Sequence, residues 1–404
     1  MGKLEQLRLR SKFCTALFVF WLGGLLALLV VKTDVMSVFS WQPKTEEWWT
    51  VKSYLDRQAA PTVVLFGSSL MTQISNEGDA TALNQTFDRR FHNRSVYFER
   101  LVDKLFSRRI SVASLSIPGS HCSDVAMLSE CLLRPPRQPE LVIFGIAPRD
   151  LMDNSLSAPF STTTFHLMEK LRPPSKIVDA GNPHWQDKLT FATNSLLGQF
   201  FPSYLFQEEL SLQWRRMLRQ QIDGFLPASE FLSTAQKTEL GLKMGRDDCT
   251  TPQYSFPAAT PETISDLSNC YRSAYNPFKQ NEYNTQLKYF QCFLNTCKSR
   301  GVRVLVVNMP LRRDSFALMP PGFYDKYLDD VLSLSTECGA SFANFNNDQR
   351  FQYDDFIDQV HLSGRAAPKF LAKVVDYLPL CLAGCNATAP KAIGMTNKAS
   401  IHSL

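Results

Sequence analysis

Val63-Val64-Leu65-Phe66-Gly67-Ser68-Ser69-Leu70 is the stretch on which the fold turns. Consecutive apolar residues without polar alternation describe a strand covered on both faces, as strands of a parallel sheet are. The run stops at a glycine, which permits a sharp turn, and at two serines, the residue type that best opens a helix. Strand, turn and capped helix make the first half of a βαβ unit. Working outward from this strand (Thr62 to Phe66), similar short runs recur at Ile110 to Ser116, Leu141 to Gly145, Val302 to Asn308 and Ser341 to Phe345. Between them, Phe98 to Arg108, Ser123 to Leu133, Asn284 to Ser299 and Tyr324 to Glu337 carry apolar residues at three- and four-residue spacing, and Ala366 to Leu378 closes the pattern. The alternation predicts an α/β fold, a doubly wound parallel sheet of about five strands with right-handed crossovers, over residues 61–380.

The rhythm breaks once. Residues 151–279 show no clear strand, only helical stretches such as Trp185 to Leu197 and Tyr204 to Phe225, and then a Pro/Ser/Thr/Asn-rich loop up to Pro277. A helical insertion after the third strand would overhang the strand C-termini, where open α/β sheets bind ligands. A lid or substrate platform and an auxiliary helical subdomain both fit. The segment after Asn386 has the composition of a disordered tail.

The chain has 404 residues, 44% of them apolar, and a formal net charge of +5. That is a globular composition, and no basic run interleaved with aromatics argues for nucleic acid as a partner. Residues 13–31 form an uncharged apolar run preceded by Lys3, Arg8, Arg10 and Lys12. Its length suits a membrane-spanning helix, and the cations predict a cytoplasmic residues 1–12 with everything after the anchor extracytoplasmic. Residues 32–60 then form a juxtamembrane segment carrying Trp41, Trp48 and Trp49. A cleaved signal peptide is the rival reading; no small-x-small cleavage site follows the run. Nine cysteines lie beyond Cys14, and Cys249 with Cys270 and Cys381 with Cys385 are the pairs to check for disulfides. Spacings suited to zinc or phosphate-cradling loops are absent, so neither metal nor cofactor is expected.

The residues suited to chemistry gather at predicted strand ends. Asp358-Gln359-Val360-His361 places a carboxylate three residues before a histidine, so that it can fix the imidazole as a general base. Ser69, or its neighbour Ser68, stands where a strand gives way to a helix and backbone N–H groups converge. Gly119, in Ile117-Pro118-Gly119-Ser120, puts an unencumbered backbone N–H at the same edge. The third strand ends in Gly145-Ile146-Ala147-Pro148-Arg149-Asp150, where Arg149 can donate to an anion and Asp150 can hold Arg149. His121 lacks a carboxylate placed to orient it, and His92, His166, His184 and His402 lack partners at useful spacing. Asp354 and Asp355 read as a solvated acidic loop rather than a metal site.

In this arrangement the chain resembles the SGNH or GDSL hydrolase superfamily over about Thr62 to Leu378. The family's Gly-Asp-Ser-Leu block corresponds to Gly67-Ser68-Ser69-Leu70, its second-block glycine to Gly119, and its Asp-x-x-His block to Asp358 and His361. The usual third block, Gly-x-Asn-Asp, is not matched, and Arg149 stands in for the oxyanion-binding Asn. The resemblance implies a flavodoxin-like SGNH hydrolase fold with Ser69 as nucleophile, His361 and Asp358 as its activating pair, and Gly119 and Arg149 at the oxyanion. Members with a single anchor and this kind of third block resemble envelope-modifying proteins, similar to the teichoic-acid D-alanyl transfer protein and alginate O-acetyltransferases. The expectation is therefore a membrane-bound, extracytoplasmic serine acyltransferase or esterase, acting on an acylated glycan or envelope polymer with a multipass acyl-exporting partner. A lipid esterase or lysophospholipase, and an inactive SGNH-fold binding module, remain alternatives.

Overall fold

The computed structural model describes residues 46–154, 162–171 and 261–382, apart from 89, 90 and 347, with scattered positions in 12–23, 189–197 and 250–251. In chain order its main elements are α1 (Glu46–Leu55), β1 (Val63–Gly67), α2 (Ser69–Leu83), α3 (Val96–Phe106), β2 (Val112–Ser114), α4 (Cys122–Leu132), β3 (Leu141–Ile146), α5 (Thr163–Leu171), α6 (Pro261–Tyr275), α7 (Gln280–Ser299), β4 (Arg303–Asn308), α8 (Phe323–Cys338), β5 (Ser341–Asn344) and α9 (Ala367–Val375). The strands form one all-parallel sheet in the order β2-β1-β3-β4-β5. That order, 2-1-3-4-5, is the flavodoxin-like one, and it puts the switch in winding direction between β1 and β3.

Burial explains why the apolar runs become strands. Val63, Val64, Leu65 and Phe66 are all at most 1% exposed, and every residue of β3 is buried as well. Such strands need helices on both faces. One layer is α2, α3 and α9 packed together; the other is α4, α7 and α8. Phe66 and Phe144 on the sheet meet Phe290 and Phe293 on α7 at ring distances of 5.3–6.0 Å. Truncating any one of these rings to alanine should cost about 3–5 kcal/mol.

The parallel arrangement brings all five strand C-termini to one edge. There β2 is continued past its last residue by Leu115 N–H to Leu65 C=O at 2.8 Å and Ile117 N–H to Gly67 C=O at 3.0 Å. The Pro118-Gly119 turn is thereby held beside the end of β1.

Three expectations change. The stretch expected to be a loop up to Pro277 contains α6, a helix that packs on the core. Residues 46–55, expected only as a polar juxtamembrane stretch, form α1, with Trp48, Val51 and Tyr54 buried. Thr250 and Thr251, within the strandless interval, pair antiparallel with Phe87 and Asp88. Of the expected insertion helices, Trp185 to Leu197 is described only at scattered helical positions, and Tyr204 to Phe225 and the tail after Asn386 lie outside the described residues. No helix among the described residues is long and apolar enough to cross a membrane. The expected anchor is described only as far as residue 23, where Phe18, Val19 and Phe20 are helical and exposed.

Candidate active site

Ser69 is the first residue of α2, after Gly67 ends β1 and Ser68 takes the N-cap position of the helix. The turn demands Gly67: its φ is +154°, and a Cβ there would sit 2.7 Å from Met71 Cβ and 2.9 Å from the Gly145 carbonyl oxygen. Ser69 is thereby lifted to the sheet edge with its hydroxyl half-buried. Across 292 residues of sequence, Ser69 Oγ and His361 Nε2 come to 2.8 Å.

The histidine is oriented by its own loop. Asp358 Oδ2 lies 2.7 Å from His361 Nδ1, while Asp358 Oδ1 accepts the backbone N–H groups of Val360 and His361, each at 2.8 Å. Burial alone would push the Asp358 carboxyl up. The bonds from the His361 ring and from the two backbone N–H groups outweigh it and hold the carboxyl below its ordinary value. Asp358 thus stays ionised at neutral pH, accepts from Nδ1–H and leaves Nε2 free to take a proton from Ser69. The loop is pinned from outside by Arg312 N–H to Gln359 C=O at 3.1 Å, by the Ser315 hydroxyl on the same carbonyl, and by the Gln359 amide on Ser268 of α6.

The remaining sequence candidates divide. Gly119 has a φ of +75°, is exposed, and would meet nothing within 4 Å if it carried a Cβ, so its backbone is open to a ligand at this edge. Arg149 is not held by Asp150, as the sequence suggested, but by Asp153, one helical turn further on, through Nε. The Arg149 guanidinium also lies 5.4 Å from the ring centre of Tyr271. Asp150 instead turns inward, accepts the Ala147 N–H at 2.8 Å and faces the Ser68 hydroxyl. Its burial pushes the carboxyl up to about 7, although those two donors and Arg149 oppose the shift.

His121 opens α4, and burial holds its imidazole below the ordinary histidine value. Asp124 is close, contrary to expectation, but it accepts the His121 backbone N–H at 3.0 Å and the Thr162 hydroxyl at 2.7 Å rather than the ring. His92, expected to lack a partner, is bonded to Asp79 at 2.7 Å and stacked on Phe87. That second Asp–His pair serves packing: Asp79 also caps α3 through the Val96 and Tyr97 N–H groups at 2.6 and 2.7 Å. Asp355 is not solvated. It is 1% exposed, caps the Gln352 N–H and is bonded to Lys369 at 2.8 and 2.9 Å. His166 is described in backbone only, and His184 and His402 lie outside the described residues.

Two side chains escaped the sequence reading. Asp153 is the true partner of Arg149, and an i,i+4 spacing was the available signal. Tyr271 on α6 is 3% exposed, lies under Arg149 and turns its hydroxyl to the Asp358 carboxylate. Among the described residues, no group of three or more His, Cys, Asp or Glu side chains converges as metal ligands would. Cys270 and Cys381 are free thiols, and their suggested partners Cys249 and Cys385 lie outside the described residues.

Comparison with protein families matches residues 92–378 to the family described as "Protein of unknown function (DUF1574)". The chain belongs to the DUF1574 family. A search of curated proteins finds no match. The DUF1574 stretch takes in Gly119, Arg149, Asp358 and His361, whereas β1 and Ser69 precede it.

Proposed function

We propose that this DUF1574 protein is a serine-dependent O-acyltransferase or esterase of the SGNH type, working through an acyl-enzyme. The observation that carries the reading is the relay Ser69 Oγ to His361 Nε2 at 2.8 Å and His361 Nδ1 to Asp358 Oδ2 at 2.7 Å, built from the two ends of the domain. A five-stranded parallel sheet in 2-1-3-4-5 order is compatible with the SGNH fold.

In the reaction, Ser69 Oγ attacks the carbonyl carbon of an ester while its proton passes to His361 Nε2, and Asp358 stabilises the imidazolium. The carbonyl electron pair moves to oxygen, where the N–H groups of Gly119 and Ser69 receive it. Arg149 adds to that hole with its terminal amino groups, because its bond to Asp153 uses Nε. Collapse expels the alcohol, which takes the proton from His361, and leaves the acyl group on Ser69. Water or a second hydroxyl, deprotonated by the same histidine, then removes it. No cofactor is needed.

The resemblance supplies the setting: residues 13–31 anchor the chain, the domain is extracytoplasmic, the acceptor or donor is a surface glycan or envelope polymer, and a multipass acyl exporter delivers the acyl group. An intact N-terminus on the mature, membrane-bound protein tests the anchor; a mature start beyond Lys32 would remove it. The chemistry is tested by labelling with a fluorophosphonate probe. Labelling should vanish in Ser69→Ala and persist in Ser68→Ala. Equal labelling of the two variants would refute Ser69 as the nucleophile.

A further inference from the structure

Away from the Ser69–His361 pair, α1 and the turn at 91–94 enclose an open groove of about 360 Å³. Trp49 and Phe91 form its apolar wall, their rings meeting edge to face at 5.2 Å. Phe91 is 69% exposed, unusual for a phenylalanine held in place by a second ring. The other side is cationic: Lys52, Arg57 and Arg94 line the groove, against a single carboxylate, Asp56, which is bonded to Lys52. Glu99 stands behind Arg94, bonded to it and to the Val112 N–H at 2.7 Å.

Arg57 is the least compensated of the three. No carboxylate lies within ion-pair distance of it among the described residues; burial disfavours its charge, Glu99 attracts it from further away and Arg94 repels it. Two guanidinium groups held together beside aromatic faces form a receptor for an anion: each fork binds a carboxylate or phosphate in two-pronged fashion, and the partial desolvation strengthens the bonds.

We propose that this groove binds an anionic sugar unit, a pyranose carrying a carboxylate or phosphate, with its ring against Trp49 and Phe91 and its anion on Arg57 and Arg94. The volume suits one or two sugar rings and lies within the usual range of ligand pockets. A lipid fits less well, because two aromatic side chains offer no channel for an acyl chain. The site is independent of Ser69 chemistry, so its failure and the failure of the acyl-transfer reading are separable.

The test is calorimetric titration of the full chain in detergent with hexagalacturonate and mannose 6-phosphate, against maltohexaose, glycerol 1-phosphate and inorganic phosphate. At least one anionic sugar should bind about tenfold more tightly than maltohexaose and the two ring-free phosphates, and more weakly as salt rises. Arg57→Gln and Phe91→Ala should each weaken it about tenfold, while Ser69→Ala leaves it unchanged. Phe91 is exposed, so its truncation leaves the fold intact and keeps the test valid if Arg57→Gln fails to fold. Equal binding of maltohexaose or glycerol 1-phosphate, no binding of either anionic sugar, or wild-type affinity in Phe91→Ala would overturn the proposal.

Discussion

Replacing Asp358 by Asn changes one atom and should reverse the tautomer of His361. In the wild type, one carboxylate oxygen accepts two backbone N–H groups at 2.8 Å and the other accepts Nδ1–H at 2.7 Å. An amide has a single acceptor oxygen, and the two backbone donors fix where it must point. The NH2 group is then forced onto Nδ1, which must accept, so the ring proton moves to Nε2. There it meets Ser69 Oγ, and the imidazole can no longer take the serine proton. A wrong-tautomer base costs about 10⁴-fold in a Ser-His-Asp site, or about 5.5 kcal/mol at about 1.36 kcal/mol per decade. The side chain keeps its shape, so the folded state should lose only about 1–3 kcal/mol from the weaker bonds. The assay is the second-order rate of fluorophosphonate labelling at pH 7.5, with circular dichroism to show that the variant is folded. A folded Asp358→Asn protein that labels within tenfold of the wild-type rate would refute the relay.

Gly67→Ala should be far more damaging to folding than its size suggests, because the new methyl meets Met71 and the Gly145 carbonyl at under 3 Å in a left-handed backbone; a loss of about 3 kcal/mol or more in urea unfolding is expected, and one below about 1 kcal/mol would contradict it. Asp150 holds a proton in the native state up to about pH 7 that the unfolded chain releases near pH 4, so it makes stability fall as pH rises through that window. Asp150→Asn should flatten that fall by more than about 1 kcal/mol between pH 5 and 7.5, and an unchanged slope in urea melts would show that the carboxyl is not protonated. Tyr271→Phe removes the hydroxyl from Asp358 but keeps the ring under Arg149; kcat for a small ester should drop about tenfold with KM unaltered. Equal kcat values would reduce Tyr271 to packing.

The sheet was legible because its three inner strands, β1, β3 and β4, obey one rule at their centres. Val63 to Phe66, Leu141 to Ile146 and Val304 to Val307 have no face turned to water, so composition alone marks them. The Asp358-to-His361 spacing was legible for a similar reason: a three-residue separation within one loop is local, and the chain has little freedom in how it realises it. What the sequence hid was pairing across loops. Arg149 chose Asp153 over its neighbour Asp150 because the short helical turn at Pro148–Asp150 points Asp150 back at its own start, onto the Ala147 N–H. The helix α6 was hidden by composition. Pro-Glu-Thr-Ile-Ser-Asp-Leu-Ser-Asn-Cys-Tyr-Arg-Ser-Ala-Tyr is rich in turn formers, yet Ile264, Leu267, Tyr271, Ala274 and Tyr275 keep a three-four spacing, and Pro261 sits where helices begin.

That helix alters the reading of the inserted segment. Between its body and the turn that follows, α6 touches the loops that carry Asp358 and Arg149. Ser268 takes the Gln359 amide, Tyr271 faces both Asp358 and Arg149, Ala274 C=O accepts the Asn154 N–H at 2.9 Å, and Asn276 donates to Leu318 C=O at 3.2 Å. Of these, Tyr271, 3% exposed, faces two polar groups directly, the carboxylate that orients His361 and the Arg149 guanidinium. The same helix also packs on the core through Tyr271 and Tyr275, the latter with its ring 5.7 Å from that of Phe323. The chain therefore leaves the sheet after β3, and on its return the first described helix, α6, becomes a wall of the site. Tyr271 therefore ties the position of α6 to the carboxylate that orients His361.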